Sequence, residues 1–418
     1  MSLLLRTLAV LLLFVIAAHG SIAEEQIEQA SHSTSLVASE ADRAQRTRIR
    51  HIVHSRGANA ASVAMLLQLA RDLPEESSAT LFAEMALEWH AAGEIDLACE
   101  CRRTLLEKFP ESPEAPHALL NLVQTYSSGE VSHAHRLTSA MPVSEEAQPT
   151  NKQMLTYASL FAAQVLQQNK EQLASPALTW QQGTLERLLG RDKAAIGHFT
   201  KLKHRPPGDA WRDRVDMENW LSEKEEVPSP IPTVACDYTA SKPLLDGQTT
   251  DECWQRFYVA TTKPQAVDAC FSYDDEYLYI ALRAQRDAEC DYTPNVRPRP
   301  RDADLSEHDR VTIRLDTDRD YQSAYELTLD HRGWTTDACW GDATWNPEWF
   351  VAAKPMDNHW HVEAAISWKS LVATPPVAGD AWGVSVERFL PAARGLAAPS
   401  EKAASPQAAI DFSVLLFE

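Results

Sequence analysis

The sequence is short of positive charge. It contains 39 lysine and arginine residues against 59 aspartate and glutamate residues, which gives a formal net charge of −20. An acidic surface repels phosphate backbones and anionic lipid headgroups. The composition therefore argues against nucleic acid as a partner and makes divalent cations more natural charged ligands.

The sequence also lacks the signatures of common catalysts and zinc sites. No G-x-S-x-G, H-E-x-x-H or glycine-rich phosphate loop occurs. The seven cysteines form no CxxC pair and no zinc-type cluster with histidine. We therefore favour a protein without catalytic activity, but a carboxylate pair of the glycoside hydrolase type stays open among so many acidic residues. In an exported protein, the five cysteines from Cys236 to Cys339 would allow two disulfides and one remaining thiol; buried thiols that act as small apolar residues are the alternative.

Long apolar runs are absent apart from one at the N-terminus. Arg6 precedes an apolar run from Thr7 to Ala18, and small residues follow as far as Ala23. This pattern is typical of a secretory signal peptide over residues 1–23, because a membrane span needs roughly 20 apolar residues. We expect an exported protein, periplasmic or extracellular, with no membrane span after cleavage; an uncleaved anchor is the alternative. Residues 24–40 are polar and predict a disordered linker.

Residues 41–221 carry apolar side chains at helical spacing. The pattern predicts helices over Ser62–Leu73, Leu81–Ala92 and Ile95–Phe109, and Pro110 ends the last of them. A set of four residues recurs at one common offset, with Gly93, Ala98, Leu105 and Pro110 matched by Gly190, Ala195, Leu202 and Pro207. This order resembles tetratricopeptide repeats, which implies stacked helix pairs and a protein partner. An ordinary helical bundle is the alternative.

The apolar pattern changes after a charged, proline-rich segment over residues 222–236, which predicts an extended linker. Residues 237–418 alternate with a period of two in segments that include Leu278–Leu282, Val311–Leu315, Tyr325–Leu329, Trp360–Ala364, Trp382–Val386 and Phe412–Leu416. Strands of this kind, separated by turns, predict an antiparallel β-sandwich. The expected fold is a multidomain α + β protein with an N-terminal helical repeat region and a C-terminal sandwich.

Four segments of the C-terminal part occur in a recognisable order. They are Asp246-Gly247 with Asp251 and Trp254, Tyr273–Tyr279, Asp309–Asp316 and Trp360–Ile366. Together they resemble carbohydrate-binding modules of family 9. The resemblance implies a β-sandwich over residues 237–418 and a glycan as its ligand.

Three groups of residues are candidate sites. Trp345 and Trp349 flank Asn346 and Glu348 in a loop, where exposed indole rings would stack on a sugar and the polar side chains would bind its hydroxyl groups. Asp316, Asp318 and Asp320 alternate in a turn, a spacing that suits Ca²⁺, and calcium also occurs in the resembled module. The loop from Arg297 to Arg301 alternates arginine with proline and could receive an anionic group.

The sequence therefore predicts an exported, non-catalytic carbohydrate-binding protein with a helical protein-interaction scaffold. A structural envelope protein that binds no sugar is one alternative. A glycan hydrolase of carbohydrate catabolism is the other.

Overall fold

A computed structural model describes residues 40–138, 151–168, 175–223, 228–261, 266–293, 299–300, 302–391 and 411–418. The predicted signal peptide, and the predicted linker as far as residue 39, lie outside the described residues. Contacts between residues divide the chain into two compact units, Met1–Met85 and Ala86–Glu418.

The described part of the first unit is helical. It contains α1 over residues 40–55, α2 over Ser62–Leu69, a short 3₁₀ turn over Ala70–Asp72, and the beginning of α3, which runs over Glu75–Ala91. Its apolar core includes Val53, Val63, Leu66, Phe82 and Met85, all buried. Helix formation is confirmed from Ser62 to Asp72, with the tighter 3₁₀ turn taking the last three residues, and Leu73 is extended.

Seven helices of the second unit precede its sheet in the described part of the chain. They are α4 (Ile95–Lys108), α5 (Ala115–Ser127), α6 (Gly129–Thr138), α7 (Asn151–Gln168), α8 (Pro176–Leu188), α9 (Asp192–Lys203) and α10 (Ala210–Glu223). A short helix, α11 (Trp368–Leu371), lies between two strands.

The two copies of the recurring sequence each mark a turn between helices. Gly93 and Gly190 have φ angles of +76° and +71°, a left-handed conformation that favours glycine after a helix. The alanine and leucine of each copy are buried in α4 and α9. A side chain at Gly183 of α8 would overlap the ring of Phe199 of α9, so this glycine allows the two helices to approach closely. The tetratricopeptide arrangement itself stays a prediction.

The described residues of the second unit include eleven strands. They are β1 (Thr233–Tyr238), β2 (Tyr258–Thr261), β3 (Val267–Tyr273), β4 (Tyr277–Gln285), β5 (Arg310–Asp316), β6 (Tyr325–Asp330), β7 (Thr335–Cys339), β8 (Trp349–Pro355), β9 (His359–Ser367), β10 (Ala381–Phe389) and β11 (Ser413–Phe417). The strands predicted from the alternating pattern are confirmed as β4, β5, β6, β9, β10 and β11.

These strands form one mixed sheet. Its order is β7-β6-β5-β10-β11-β1-β3-β4-β9-β8, with β2 paired to β3. β1 is parallel to both of its neighbours, and the other pairs are antiparallel. β7 and β8 are therefore the two end strands.

The sheet curls around a large apolar core. One buried cluster draws side chains from strands far apart in the sheet order, including Ile280 of β4, Ile313 of β5, Leu327 of β6 and Val362 of β9. Val131 of α6 belongs to the same cluster, so a helix packs directly on the sheet core. Burying such apolar surface contributes roughly 25 cal/mol per Å² to folding.

The structure confirms the predicted α + β class. A β-sandwich has two facing sheets, but hydrogen bonds connect all eleven described strands into one sheet, so the predicted sandwich is not confirmed by the strand pairing. β1 begins at Thr233, within the segment predicted as a linker up to residue 236. Helices α4 to α10 belong to the same compact unit as the sheet. The domain boundaries drawn from the sequence stay predictions.

Candidate functional site

The two end strands of the sheet approach each other. Gly333, in the turn between β6 and β7, lies so close to β8 that a Cβ placed on it would be 3.2 Å from the Cβ of Ala353. The indole nitrogen of Trp349 in β8 donates a 3.3 Å hydrogen bond to Asp337 of β7. The curl therefore brings both ends of the sheet to one place.

A groove opens where these ends meet, and we call it the end-strand groove. It encloses about 590 Å³. Its lining includes aromatic, aliphatic and basic side chains, namely Leu245, Arg299, Arg332, Trp334, Trp349, Phe350 and Val351. Phe350 is 48% exposed and Trp334 is half-buried, so both rings are accessible to a ligand.

Arg332 is held rigidly in the groove wall. Its Nε and Nη2 donate hydrogen bonds of 2.8 and 2.5 Å to one carboxylate oxygen of Asp330, which is fully buried. Its guanidinium carbon lies 4.0 Å from the ring centre of Trp334. The ion pair and the stacking together fix a flat polar group beside an aromatic ring.

A smaller recess of about 220 Å³ continues the end-strand groove and shares Arg299 and Trp349 with it. The recess is more polar, and its lining also includes Asp302, Thr335, Asp337, Asn346 and Pro347. The groove and the recess thus place apolar and polar surfaces next to each other.

The predicted ligand residues divide between the core and this site. Trp345 is 1% exposed and stacks on Tyr325 with ring centres 4.5 Å apart, so its ring is part of the core. Trp349 is 7% exposed, yet it lines both the groove and the recess. Asn346 lines the recess, and Glu348 is exposed outside both linings. Trp345 and Trp349 therefore do not form an exposed pair, and the binding role of the four residues stays a prediction.

Sequence reasoning missed two groove residues, Arg332 and Phe350, and favoured Trp345 and Trp349 over Trp334. Trp334 follows Gly333 in a tight turn, and Phe350 occupies an outward position on an end strand. Phe350 could have been found from the alternating pattern. One face of a strand packs on the core, so an aromatic residue at a position of the other face is exposed to solvent and can contact a ligand.

The predicted calcium residues converge with a helix. Glu130 in the first turn of α6 joins Asp316 and Asp318, and one ligand oxygen from each residue lies within 4.8 Å of the others. All three are buried. Asp320 is fully buried beside them and accepts hydrogen bonds from the backbone of Gln322 and Ser323 and from the Ser323 hydroxyl. We call these four residues the carboxylate cluster.

Burial favours the protonated form of each residue in the carboxylate cluster. Burial, followed by the charge of Asp318, raises the pKa of Glu130 to about 8. The same causes raise the pKa of Asp320 to about 7. Burial also raises the pKa of Asp316 and of Asp318. Burial is the largest cause for all four groups, and the charges of neighbouring carboxylates add to it at Glu130, Asp316 and Asp320.

A group of charged residues also joins the helices to the turn after β5. Glu218 of α10 is bound by Arg187 of α8 and by Arg319, whose Nε lies 2.9 Å from it. Arg187 also donates to the backbone carbonyl of Asp318. The turn from Asp316 to Ser323 is therefore supported by three helices, α6, α8 and α10.

No helix in the described ranges is long and apolar enough to cross a membrane.

No protein-family model and no curated protein match this sequence. Among solved structures, the chain is similar to a family 9 carbohydrate-binding module from Caldicellulosiruptor kristjanssonii, in complexes with glucose and with cellotriose. Each complex shows 17% identity and a TM-score of 0.32, over 44% of this chain and 95% or 93% of the module. A candidate carbohydrate-binding protein from Bacteroides uniformis shows 10% identity and a TM-score of 0.33, over 45% of this chain and 100% of that protein.

Proposed function

We propose that this protein binds a carbohydrate in the end-strand groove and does so without catalysis. The observation that carries the proposal is the combination of two accessible aromatic rings, Trp334 and Phe350, with the flat guanidinium group of Arg332. The apolar C–H face of a sugar ring packs on an aromatic ring, and its hydroxyl groups need polar partners at the edge.

The side chains of the groove supply both of these needs. Trp334 and Phe350 would contact the C–H faces of a sugar, and Arg332 would donate to its hydroxyl groups. Because Asp330 and Trp334 already hold Arg332 in place, little side-chain entropy would be lost on binding. Asn346 and Asp337 in the recess would bind a second sugar unit.

The fold, the export and the role of the helices are proposed from the sequence. We infer that the curled sheet is a variant of the predicted β-sandwich, since strands from distant parts of the sheet order face one core. The protein would be exported through the signal peptide of residues 1–23, and the helices would form a scaffold for a protein partner.

We also propose that the carboxylate cluster holds a Ca²⁺ ion. The donor set fits this ion, because Ca²⁺ takes six to eight hard oxygen ligands and Glu130, Asp316 and Asp318 bring carboxylate oxygens together. Bound calcium would neutralise the buried carboxylates and so stabilise the contact of α6 with the turn after β5.

A glycan array probed with the whole chain, with and without calcium, tests the carbohydrate proposal. We expect retention on at least one glycan, and affinity reduced about tenfold or more by Trp334→Ala or Phe350→Ala. Tyr238→Ala is the matched control, because Tyr238 is an exposed aromatic residue of the same sheet outside the groove lining. Retention that survives both groove variants would contradict the proposed site.

Two other outcomes would replace the proposed function. Absence of retention on every glycan would favour a structural protein that binds no sugar. Release of reducing ends from a bound glycan would favour the hydrolase alternative, for which Asp302 and Asp337 are the candidate carboxylates because both line the recess.

A further inference from the structure

Two cysteines lie close together on the outer face of the sheet. Cys270 of β3 is buried in a small apolar cluster with Trp254 and Tyr279, and the half-buried Cys253 packs against the same cluster. The Sγ of Cys270 is 3.9 Å from the backbone carbonyl oxygen of Cys253. The Cys270 thiol therefore points at the residue that carries the second thiol.

A third cysteine, Cys236 of β1, is near in the sheet but on the other side of it. It pairs in register with Phe271, and both side chains belong to the large inner core. Successive residues of a strand point to opposite faces, so Cys270 faces away from Cys236. The backbone of the sheet separates these two thiols.

We propose that Cys253 and Cys270 form a disulfide bond. The oxidant would be a small-molecule disulfide, which reacts by thiol–disulfide exchange. The Cys253 thiolate attacks one sulfur of the oxidant and releases one thiol, and a mixed disulfide forms. Cys270 then attacks the protein sulfur of this mixed disulfide and releases the second thiol. The two protein thiols lose two electrons, the oxidant gains them, and the two protons pass to the released thiolates.

The bond would anchor a loop that forms part of the end-strand groove. The loop from Leu245 to Trp254 contributes Leu245 to the groove lining. A Cβ placed on Gly247 of this loop would be 2.7 Å from the Cβ of Lys354 in β8, so the loop lies directly on an end strand. The effect on ligand binding rests on the proposed function, whereas formation of the bond does not depend on it.

The reaction should be slow at neutral pH. Burial raises the pKa of the Cys253 thiol to about 12 and also raises the pKa of Cys270. Because the thiolate is the reactive form, a mildly alkaline buffer is the suitable condition for the experiment.

Peptide mapping of the whole chain tests the bond directly. The protein is incubated with oxidised glutathione in mildly alkaline buffer, unfolded, alkylated and digested, and the peptides are identified by mass spectrometry. We expect a peptide pair linked through Cys253 and Cys270. Cys99 and Cys101 provide the internal control, since positions two apart on a helix do not face each other and should both be alkylated.

Complete alkylation of Cys253 and Cys270 would overturn the proposal, and so would a link from either of them to Cys236 or Cys290.

A second measurement compares the thermal stability of the oxidised and the reduced protein. Reducing agent should lower the Tm of the oxidised protein by roughly 5 °C, because the bond closes a loop of moderate length. It should leave the Tm of Cys253→Ser unchanged; an equal drop in that variant would also contradict the bond. Neither readout involves a glycan, so failure of the disulfide and failure of the proposed function are distinguishable.

Discussion

Glu363 accepts a 2.8 Å hydrogen bond from the indole nitrogen of Trp254, which lies 109 residues earlier in the sequence. The other carboxylate oxygen accepts from the backbone nitrogens of Asp246, Gly247 and Gln248. Glu363 is fully buried in β9, so one side chain satisfies four donors of the loop ahead of β2. This carboxylate is structural, although acidic residues on strands are also candidates for glycan hydrolysis.

Replacing Glu363 with alanine should therefore destabilise the fold. The variant leaves an indole and several backbone N–H groups without their acceptor, and each such loss costs about 1–3 kcal/mol when the group stays buried. We expect the free energy of unfolding to fall by about 3 kcal/mol in urea denaturation. Glu252→Ala, at an exposed position of the same loop, is the control and should change stability little. Equal stability of the two variants would show that the loop does not depend on Glu363.

Trp345 and Trp334 should respond differently to truncation. Trp345→Ala removes a ring from the core beside Tyr325, and such changes cost about 3–5 kcal/mol. Trp334→Ala removes a half-buried ring at the groove, so it should weaken glycan binding with a smaller loss of stability. Thermal unfolding and glycan affinity measured on both variants check this. The reverse pattern would return the binding role to Trp345.

Glu218 should be essential for attachment of the helices to the turn after β5. Burial alone would raise its pKa, but the charges of Arg187 and Arg319 outweigh that effect and lower the pKa to about 2. Glu218→Ala leaves two arginines without their shared partner, and breaking a buried ion pair costs about 3–5 kcal/mol.

The pH dependence of this interaction follows from the lowered pKa. The stabilisation is fully present above the usual glutamate pKa and is lost as pH falls toward about 2, because the carboxylate must take up a proton. Acid titration of unfolding should therefore show a smaller loss of stability in Glu218→Ala than in the unaltered protein. Parallel titration curves would contradict the assignment.

The local elements could be predicted from the sequence because their signals are local. Alternation of apolar side chains located β4 and β5, and Pro110 marked the end of α4, since each pattern depends on neighbours within a few residues. The burial of Trp345 had no such signal. It lies in a loop, where no periodicity relates position in the sequence to a face of the structure.

The candidate sites depended on contacts between distant segments. Asp316 and Asp318 were found from their spacing, but Glu130 joins them from a helix nearly half the chain away. The groove required Gly333 and Ala353 to meet at the two ends of a curled sheet. Strand pattern predicts which residues face outward and does not predict which ends of a sheet come together.

Calcium should change the pH dependence of stability through the carboxylate cluster. Without the ion, Glu130 and Asp320 hold protons in the folded state that they lose in the unfolded state at neutral pH, because their folded pKa values are raised to about 8 and about 7. Their contribution to stability is thus present at acidic pH and is lost as pH rises through those values, by at most about 1.4 kcal/mol per pH unit for each group. Calcium compensates the ionised carboxylates, so it should raise the Tm most at alkaline pH.

Thermal unfolding in chelator and in calcium, compared at about pH 5 and about pH 8, measures this effect. Glu130→Gln should lose most of the calcium-dependent rise in Tm and should be more stable than the unaltered protein in chelator at the higher pH, because one repelling charge is gone. Glu107→Gln, at an exposed position of α4, should behave like the unaltered protein. A Tm that does not respond to calcium at either pH would exclude the ion from this cluster, and a response retained in Glu130→Gln would place the ion elsewhere.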